Sequence, residues 1–183
     1  MTSFVWPLKR NHVRRSSTHN AFGMVRNGGA RPHQGWDLVA PPVTPCYAIT
    51  DGKIHEVYRD LHGFGKVILL EFEHRGKVLY AAYCHLDFSL VVQGNKVIRG
   101  QMIGYTGNTG NAASMRGLDQ HMHFEIRTIP RPPKGLYGRI DPATLYGRAP
   151  IGYTFFEAHG QKIATAGTSG LKIPGVNVRE LFE

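Results

Sequence analysis

The chain has 183 residues, of which 42% are hydrophobic, so a single domain can bury a core without disulfide staples. No stretch approaches the roughly 18 apolar residues of a membrane-spanning helix, and no apolar run follows the basic start as in a secretory signal. The formal net charge of +9 favours a polyanionic partner, such as nucleic acid, an anionic membrane surface or cell-wall polymer. Alternatively, the charged side chains only form a solvated surface. The densest basic cluster contains Lys9, Arg10, Arg14 and Arg15.

Glycine and proline are frequent and are distributed along the chain. The 22 glycines and 11 prolines separate short apolar runs, which is typical of a β-rich protein with many turns. We expect little helix, and only around residues 11–22 and 112–119. Two hairpins are predicted. The first lies in CYAITDGKIHEVY, around the tight-turn dipeptide Asp51–Gly52, and the second lies in residues 66–84, with its turn at residues 74–76.

The segment QMIGYTGNTGN, residues 101–111, predicts a short strand that enters a loop rich in glycine and asparagine. A structural loop is favoured over a phosphate cradle, because no Gly-Lys-Ser/Thr follows. The chain has two cysteines, Cys46 and Cys84, which form neither a C-x-x-C pair nor a zinc knuckle. We therefore expect free buried thiols, with a disulfide as the alternative.

His33 and His85 occur in segments that, taken alone, do not distinguish a functional site from a structural role. The segment HQGWD, residues 33–37, places a histidine and an aspartate four residues apart, and this pair fits either half of a metal site or two polar residues in a turn. His85 ends the apolar run in LYAAYCHLD, at a position where side chains emerge at the rim of a sheet and often serve function. In isolation, a turn histidine is the simpler interpretation.

In DQHMHFEIRT, apolar residues alternate with His121, His123 and Glu125. A strand here turns both histidines to one face and the apolar side chains to the core on the other face. Two imidazoles on one strand face, about 7 Å apart by the strand rise, can point into a common site. The pattern favours a metal or catalytic site and a structural role equally.

Four short motifs occur in one order: HQGWD, YCHLD, GQMIGYTGNTG and HMHFEI. Together with WPL, FGMVR and DP, they resemble, over roughly residues 5–146, the lysostaphin-type or LytM-like family of zinc peptidoglycan endopeptidases. This resemblance implies a mainly β fold of the duplicated hybrid motif type. Its antiparallel sheets would form a groove with a catalytic zinc site, and helices would be few and short.

The resemblance also implies residue roles. His33, Asp37 and His123 would bind Zn²⁺, which leaves a fourth position open for water. His85 and His121 would be catalytic without binding metal, and would position and deprotonate the water and stabilise the tetrahedral intermediate. Spacing alone does not say whether His121 or His123 is the ligand. Glu125 is either a partner of a ligand or a surface carboxylate.

Three segments depart from the family pattern. The link at residues 111–120 is longer than in relatives, so it should border the substrate groove and change which cross-link fits. The segment NGGARP has no tyrosine, a residue that some relatives use near the zinc-bound oxygen. We expect a peptidase domain over residues 1–146, with residues 147–183 as a C-terminal extension packed on it, whose role the sequence does not assign.

The implied function is hydrolysis of peptide bonds in the cross-links or stem peptides of bacterial peptidoglycan. The lack of a recognisable signal peptide predicts synthesis in the cytoplasm and action in the periplasm or outside the cell, on the wall of a target cell. This predicts an injected antibacterial toxin, with a secretion apparatus and an immunity protein as partners, or a phage lysis enzyme. We expect no nucleic-acid partner and no membrane span.

Two other functions are compatible with parts of the sequence. A catalytically inactive LytM-like regulator would bind another wall hydrolase, but such proteins tend to lack zinc ligands, and all five key positions are present here. A basic nucleic-acid-binding protein would need a recognised motif or an exposed aromatic and basic surface, and the sequence shows neither.

Overall fold

A computed structural model describes residues 4–160 of the chain, and these residues form a mainly antiparallel β structure. In chain order its strands are β1 (Arg10–Asn11), β2 (Gly23–Arg26), β3 (Arg31–His33), β4 (Trp36–Val39), β5 (Pro45–Tyr47), β6 (Gly52–Asp60), β7 (Gly65–His74), β8 (Lys77–Ser89), β9 (Lys96–Val97), β10 (Met102–Thr106), β11 (His121–Arg127), β12 (Arg139–Ile140) and β13 (Phe155–Phe156). The β-rich fold class predicted from the sequence is confirmed.

Nine strands form the main sheet, and all their pairings are antiparallel. The order is β12-β11-β8-β7-β6-β9, while β4 pairs with β11, and β10 pairs with both β5 and β8. Strand β11 therefore lies between β4 and β8. Side chains from these three strands can meet on one face of the sheet, which is where the predicted site residues fall.

One of the two predicted hairpins is confirmed. Strands β7 and β8 pair along their length and are joined by Arg75 and Gly76, whose φ angles of 50° and 72° match the mirror-image turns that suit two-residue hairpins. The prediction of a hairpin at Asp51–Gly52 is wrong, because the two strands on either side do not pair with each other: β5 pairs with β10, and β6 pairs with β7 and β9. A Cβ on Gly52 would lie 2.3 Å from the Glu71 carbonyl oxygen, so this glycine serves a close approach to β7.

Helix is scarce, as expected, but its placement differs in detail. The expected segments around residues 11–22 and 112–119 contain only short 3₁₀ turns, and positive φ angles at Arg15 and Ser16 stop helical growth in the first. The described residues also include an α-helix that the sequence did not predict. The helical elements are α1 (Ala143–Tyr146) and the 3₁₀ turns Arg14–Ser16, Thr18–Asn20, Asn27–Gly29, Gly110–Ala112 and Gly117–Asp119.

The core lies against one face of β11. Met122, Phe124 and Ile126 are fully buried there, which confirms the alternation predicted for this strand. Each such side chain contributes about 1.5–3 kcal/mol by leaving water. Cys46 and Cys84 are buried and free, as their spacing predicts. Between residues 4 and 160, the helices are all too short or too polar to cross a bilayer.

Part of the predicted C-terminal extension packs on this structure. Strand β13 pairs with β1, and the Phe155 ring stacks on Trp6 with centroids 4.6 Å apart. His159 stacks on Tyr47 at 3.7 Å, and its Nε2 donates to the Trp6 carbonyl oxygen at 2.6 Å. The rest of the extension, residues 161–183, lies outside the described residues, and the division at residue 146 stays a prediction.

Candidate metal centre

Strand pairing brings two of the predicted ligands together. Asp37 on β4 is directly opposite His123 on β11. Between His33 and Asp37 the chain passes very close to β11, because a Cβ on Gly35 would lie 2.2 Å from the Phe124 carbonyl oxygen. The glycine of HQGWD thus allows the chain to bring the His33 side chain back to Asp37.

Three buried donor groups converge at this point. His33 Nε2 lies 3.1 Å from Asp37 Oδ1, and His123 Nδ1 lies 2.8 Å from the same oxygen. One ligand atom from each residue lies within 4.8 Å of the others, so the three could hold a metal ion. Two imidazoles and one carboxylate, with a further position open, are the donor set of hydrolytic zinc sites, so the residues present fit Zn²⁺.

Backbone carbonyls fix the protons of three histidines. Nδ1 of His33 bonds to the Ala21 oxygen at 2.8 Å, Nδ1 of His85 to the Thr109 oxygen at 2.8 Å, and Nδ1 of His121 to the Asp119 oxygen at 2.7 Å. A carbonyl oxygen only accepts hydrogen bonds, so each Nδ1 must carry the proton. Each Nε2 is therefore left for the site.

The His123 ring has the opposite orientation from the other three histidines, with Nδ1 towards the site. Its Nε2 donates to Glu125 Oε1 at 3.0 Å, which leaves Nδ1 facing Asp37. Glu125 is fully buried, so the surface position considered for it is wrong. Its Oε2 accepts from Arg127 Nε at 2.6 Å and from Arg139 Nε at 2.9 Å. Burial would raise the pKa of Glu125, but His123 and the two guanidinium groups outweigh it and lower that pKa to about 2.

The charge states follow from burial and contacts. Burial, reinforced by the neighbouring imidazoles, lowers the pKa of His85 to about 3, and burial also lowers the pKa of His33 and of His121. For His123, hydrogen bonds to Asp37 and Glu125 outweigh burial and raise the pKa to about 9. Three imidazoles are therefore neutral near pH 7, whereas a metal ion must displace a proton from His123 Nδ1.

The two predicted catalytic histidines lie side by side next to the ligand group. The rings of His85 and His121 have centroids 5.1 Å apart, and His121 Nε2 lies 3.6 Å from Asp37 Oδ1. The expected strand end at His85 is wrong, because β8 continues to Ser89. His85 instead adopts a φ of 62° within the strand, a strained conformation for a residue with a side chain. The structure thus brings together all five predicted site residues.

Four arginines at the centre were missed from the sequence. Arg127 and Arg139 hold Glu125, while Arg14 Nη2 and Arg26 Nη2 contact Asp37 Oδ2 at 3.5 and 3.1 Å. The basic cluster that includes Arg14 was one sequence signal, but it fits a solvated surface equally well. Strand alternation was another, because it places Arg127 on the same face as His123 and Glu125. Arg14, Arg26 and Arg139 contact carboxylates 11 to 23 positions away in the sequence, so local spacing could not reveal those three.

A family model described as Peptidase family M23 matches residues 31–136, which is more than half of the chain. The chain belongs to peptidase family M23. This confirms the resemblance to lysostaphin-type and LytM-like endopeptidases. The matched segment contains every predicted ligand and both predicted catalytic histidines of this M23 chain.

Two curated relatives show what the M23 chain is similar to. It is 34% identical over 114 residues, 62% of its own length and 24% of the relative's, to the peptidoglycan DD-endopeptidase ShyA of Vibrio cholerae. It is 34% identical over 118 residues, 64% of its own length and 30% of the relative's, to the glycyl-glycine endopeptidase ALE-1 of Staphylococcus capitis. The matches span less than a third of either relative.

Solved M23 structures have the same fold. The catalytic domain of lysostaphin from Staphylococcus simulans aligns with a TM-score of 0.55 and 28% identity over 77% of this chain and 93% of that chain. A zinc-containing peptidase of Vibrio cholerae aligns with a TM-score of 0.59 and 26% identity over 82% of this chain and 41% of that chain.

Proposed function

We propose that this M23 chain is a zinc-dependent endopeptidase that hydrolyses peptide bonds in the cross-links or stem peptides of bacterial peptidoglycan. The observation that carries the proposal is the ligand group of His33, Asp37 and His123 with two neutral imidazoles beside it. The two relatives add support, since ShyA is a peptidoglycan DD-endopeptidase and ALE-1 is a glycyl-glycine endopeptidase.

In this proposal His33 Nε2, Asp37 Oδ1 and His123 Nδ1 hold Zn²⁺. When bound, zinc supplies Lewis-acid chemistry, which polarises a carbonyl group and lowers the pKa of water. Asp37 is ready to bind as a carboxylate, because its hydrogen bond from His123 and its contact with His33 outweigh its burial and hold its pKa well below the usual range. Glu125 orients His123 through the Nε2 proton.

His85 and His121 would move protons at their Nε2 atoms. Both Nδ1 atoms are occupied by bonds to backbone oxygens, and both side chains are neutral near pH 7. A neutral Nε2 can accept a proton from the attacking water and then donate it to the leaving amine. The fixed Nδ1 contacts prevent the rings from turning away, so this pair is already oriented for proton transfer.

Digestion of intact peptidoglycan tests the proposal directly. We expect the purified protein loaded with zinc to release soluble fragments, and mass spectrometry of these fragments to show a new amino terminus that identifies the bond. A chelator should stop the release, and added zinc should restore it. An inactive regulator, the alternative with the same fold, would bind another wall hydrolase and release no fragments by itself. Zinc-loaded protein that releases no fragments would therefore contradict the proposal.

Expression in two compartments tests where the protein acts. Because peptidoglycan lies outside the cytoplasmic membrane, we expect expression in the cytosol to be harmless and expression behind an added export signal to lyse the host. A His123→Ala variant carried by the same export signal is the matched control. Equal toxicity in both compartments would contradict a wall substrate. Delivery by injection or by a phage stays a prediction.

A further inference from the structure

Two arginines flank the candidate metal centre at the second carboxylate oxygen of Asp37. Asp37 turns Oδ1 to His33 and His123, and its other oxygen, Oδ2, accepts from Arg26 Nη2 at 3.1 Å and lies 3.5 Å from Arg14 Nη2. The Arg14 and Arg26 side chains are 14% and 24% exposed, against 4% for Asp37. The guanidinium groups therefore lie between the buried carboxylate and the solvent.

The charges at this flank do not balance. The cluster contains three cations and two anions: Arg14, Arg15, Arg26, Asp37 and Asp119. Arg15 donates to both Asp119 oxygens at 2.7 Å each, and Arg14 Nη1 donates to Asp119 Oδ1 at 3.3 Å, so the three arginines share two carboxylate charges. A divalent cation beside Asp37 would enlarge the positive excess. An anionic group of the substrate would reduce it.

The Arg26 side chain is held in place by two hydrogen bonds and keeps a further N–H donor group for a ligand. Its Nε donates to the His19 carbonyl oxygen at 3.0 Å and its Nη2 donates to Asp37, while Nη1 has no hydrogen-bond partner among residues 4–160. Arg14 is fixed through Asn20 Oδ1 at 2.8 Å and Asp119 Oδ1 at 3.3 Å, so it supports Arg26 by its charge. A guanidinium group fixed in this way loses little side-chain freedom on binding a carboxylate.

We infer that Arg26, supported by Arg14, binds a free carboxylate of the substrate peptide close to the bond that is cut. The inference rests on the proposed function and adds a substrate preference to it. Both arginines lie at Asp37 Oδ2, whereas His33 and His123 lie at Oδ1, so the guanidinium groups mark one side of the centre for a carboxylate. Binding there would also fix the direction in which the peptide crosses the centre.

The test compares two cross-linked peptides that differ only in one carboxylate, free in one and amidated in the other. A charge-assisted hydrogen bond that is lost costs roughly tenfold or more in affinity. We expect the unchanged protein to have a KM roughly tenfold lower for the free carboxylate, with similar kcat. Arg26→Gln should abolish this preference, and Arg26→Lys should retain part of it. Arg31→Gln removes an exposed charge from the same neighbourhood and should keep the preference.

Binding without catalysis separates this inference from the proposed function. Titration of the metal-free protein with each peptide, followed by NMR, should show tighter binding of the free carboxylate, and Arg26→Gln should remove the difference. Equal cutting and equal binding of both peptides would overturn the inference and leave the proposed function intact. If neither peptide nor peptidoglycan is cut, the proposed function fails, and the metal-free titration alone decides whether the arginines bind a carboxylate.

Discussion

Asp37→Ala is expected to leave the purified protein with almost no zinc, whereas the unchanged protein carries about one zinc ion per chain. The physical reason is that Asp37 Oδ1 is the atom on which His33 and His123 converge. Without it two imidazoles remain, one ligand fewer than hydrolytic zinc sites use. Elemental analysis of protein purified without added metal, followed by zinc uptake in competition with a chelator, measures the loss.

Glu125→Gln is the matched comparison, because it keeps an acceptor for the Nε2 proton of His123 but removes the negative charge. We expect zinc binding to weaken by about 10- to 100-fold, less than in Asp37→Ala. Thermal unfolding should be measured for both variants, since the glutamine leaves Arg127 and Arg139 buried without their counter-charge. Zinc bound by a folded Asp37→Ala protein at unchanged affinity would contradict the ligand assignment.

Replacing His85 or His121 with alanine should lower turnover of peptidoglycan by roughly 10²- to 10⁴-fold, the usual contribution of a positioned proton-transfer group. Zinc content should stay near that of the unchanged protein, because neither side chain belongs to the converging ligand group. Each imidazole is neutral and hydrogen-bonded to a backbone oxygen, so its removal leaves no buried charge without a partner. Fragment release and zinc content should be measured on the same preparations.

The double variant examines whether the two histidines act together. Because they would act on the same proton transfers, its loss of turnover should be smaller than the product of the single losses. If His121→Ala loses zinc while His123→Ala keeps it, the two roles are exchanged. If both single variants keep full turnover, the proposed mechanism is wrong.

Local pattern was sufficient for some elements of the fold. The β7–β8 hairpin and the alternating faces of β11 depend on neighbours in the sequence, and both were predicted. The prediction of a hairpin at Gly52 failed because this position requires glycine for a close approach to the backbone of β7. That contact is distant in the sequence, so no local pattern indicates it. The prediction that a strand ends at His85 failed for a related reason. Pairing with β7 and β10 continues β8 beyond His85, although this residue has a positive φ angle.

For the candidate site, sequence supplied the residues but not their arrangement. Spacing could not distinguish His121 from His123, whereas the structure shows that only His123 has Nδ1 towards Asp37 and Nε2 on a buried carboxylate. Arg139 reaches that carboxylate from β12, through a pairing that sequence does not reveal. Arg26, the last residue of β2, reaches Asp37 on β4 through its side chain, although the two residues are 11 positions apart in the sequence.

The centre is divided between two kinds of structure, and this affects how such a protein can diversify. Asp37 and His123 are on paired central strands, where most changes disturb the sheet. Arg14 and Asp119, which lie beside the centre, belong to short 3₁₀ turns that are joined by the salt bridge between these two side chains. Under the proposed function, mutations in those turns would therefore change which peptides bind during evolution, while the ligand group on the paired strands stays the same.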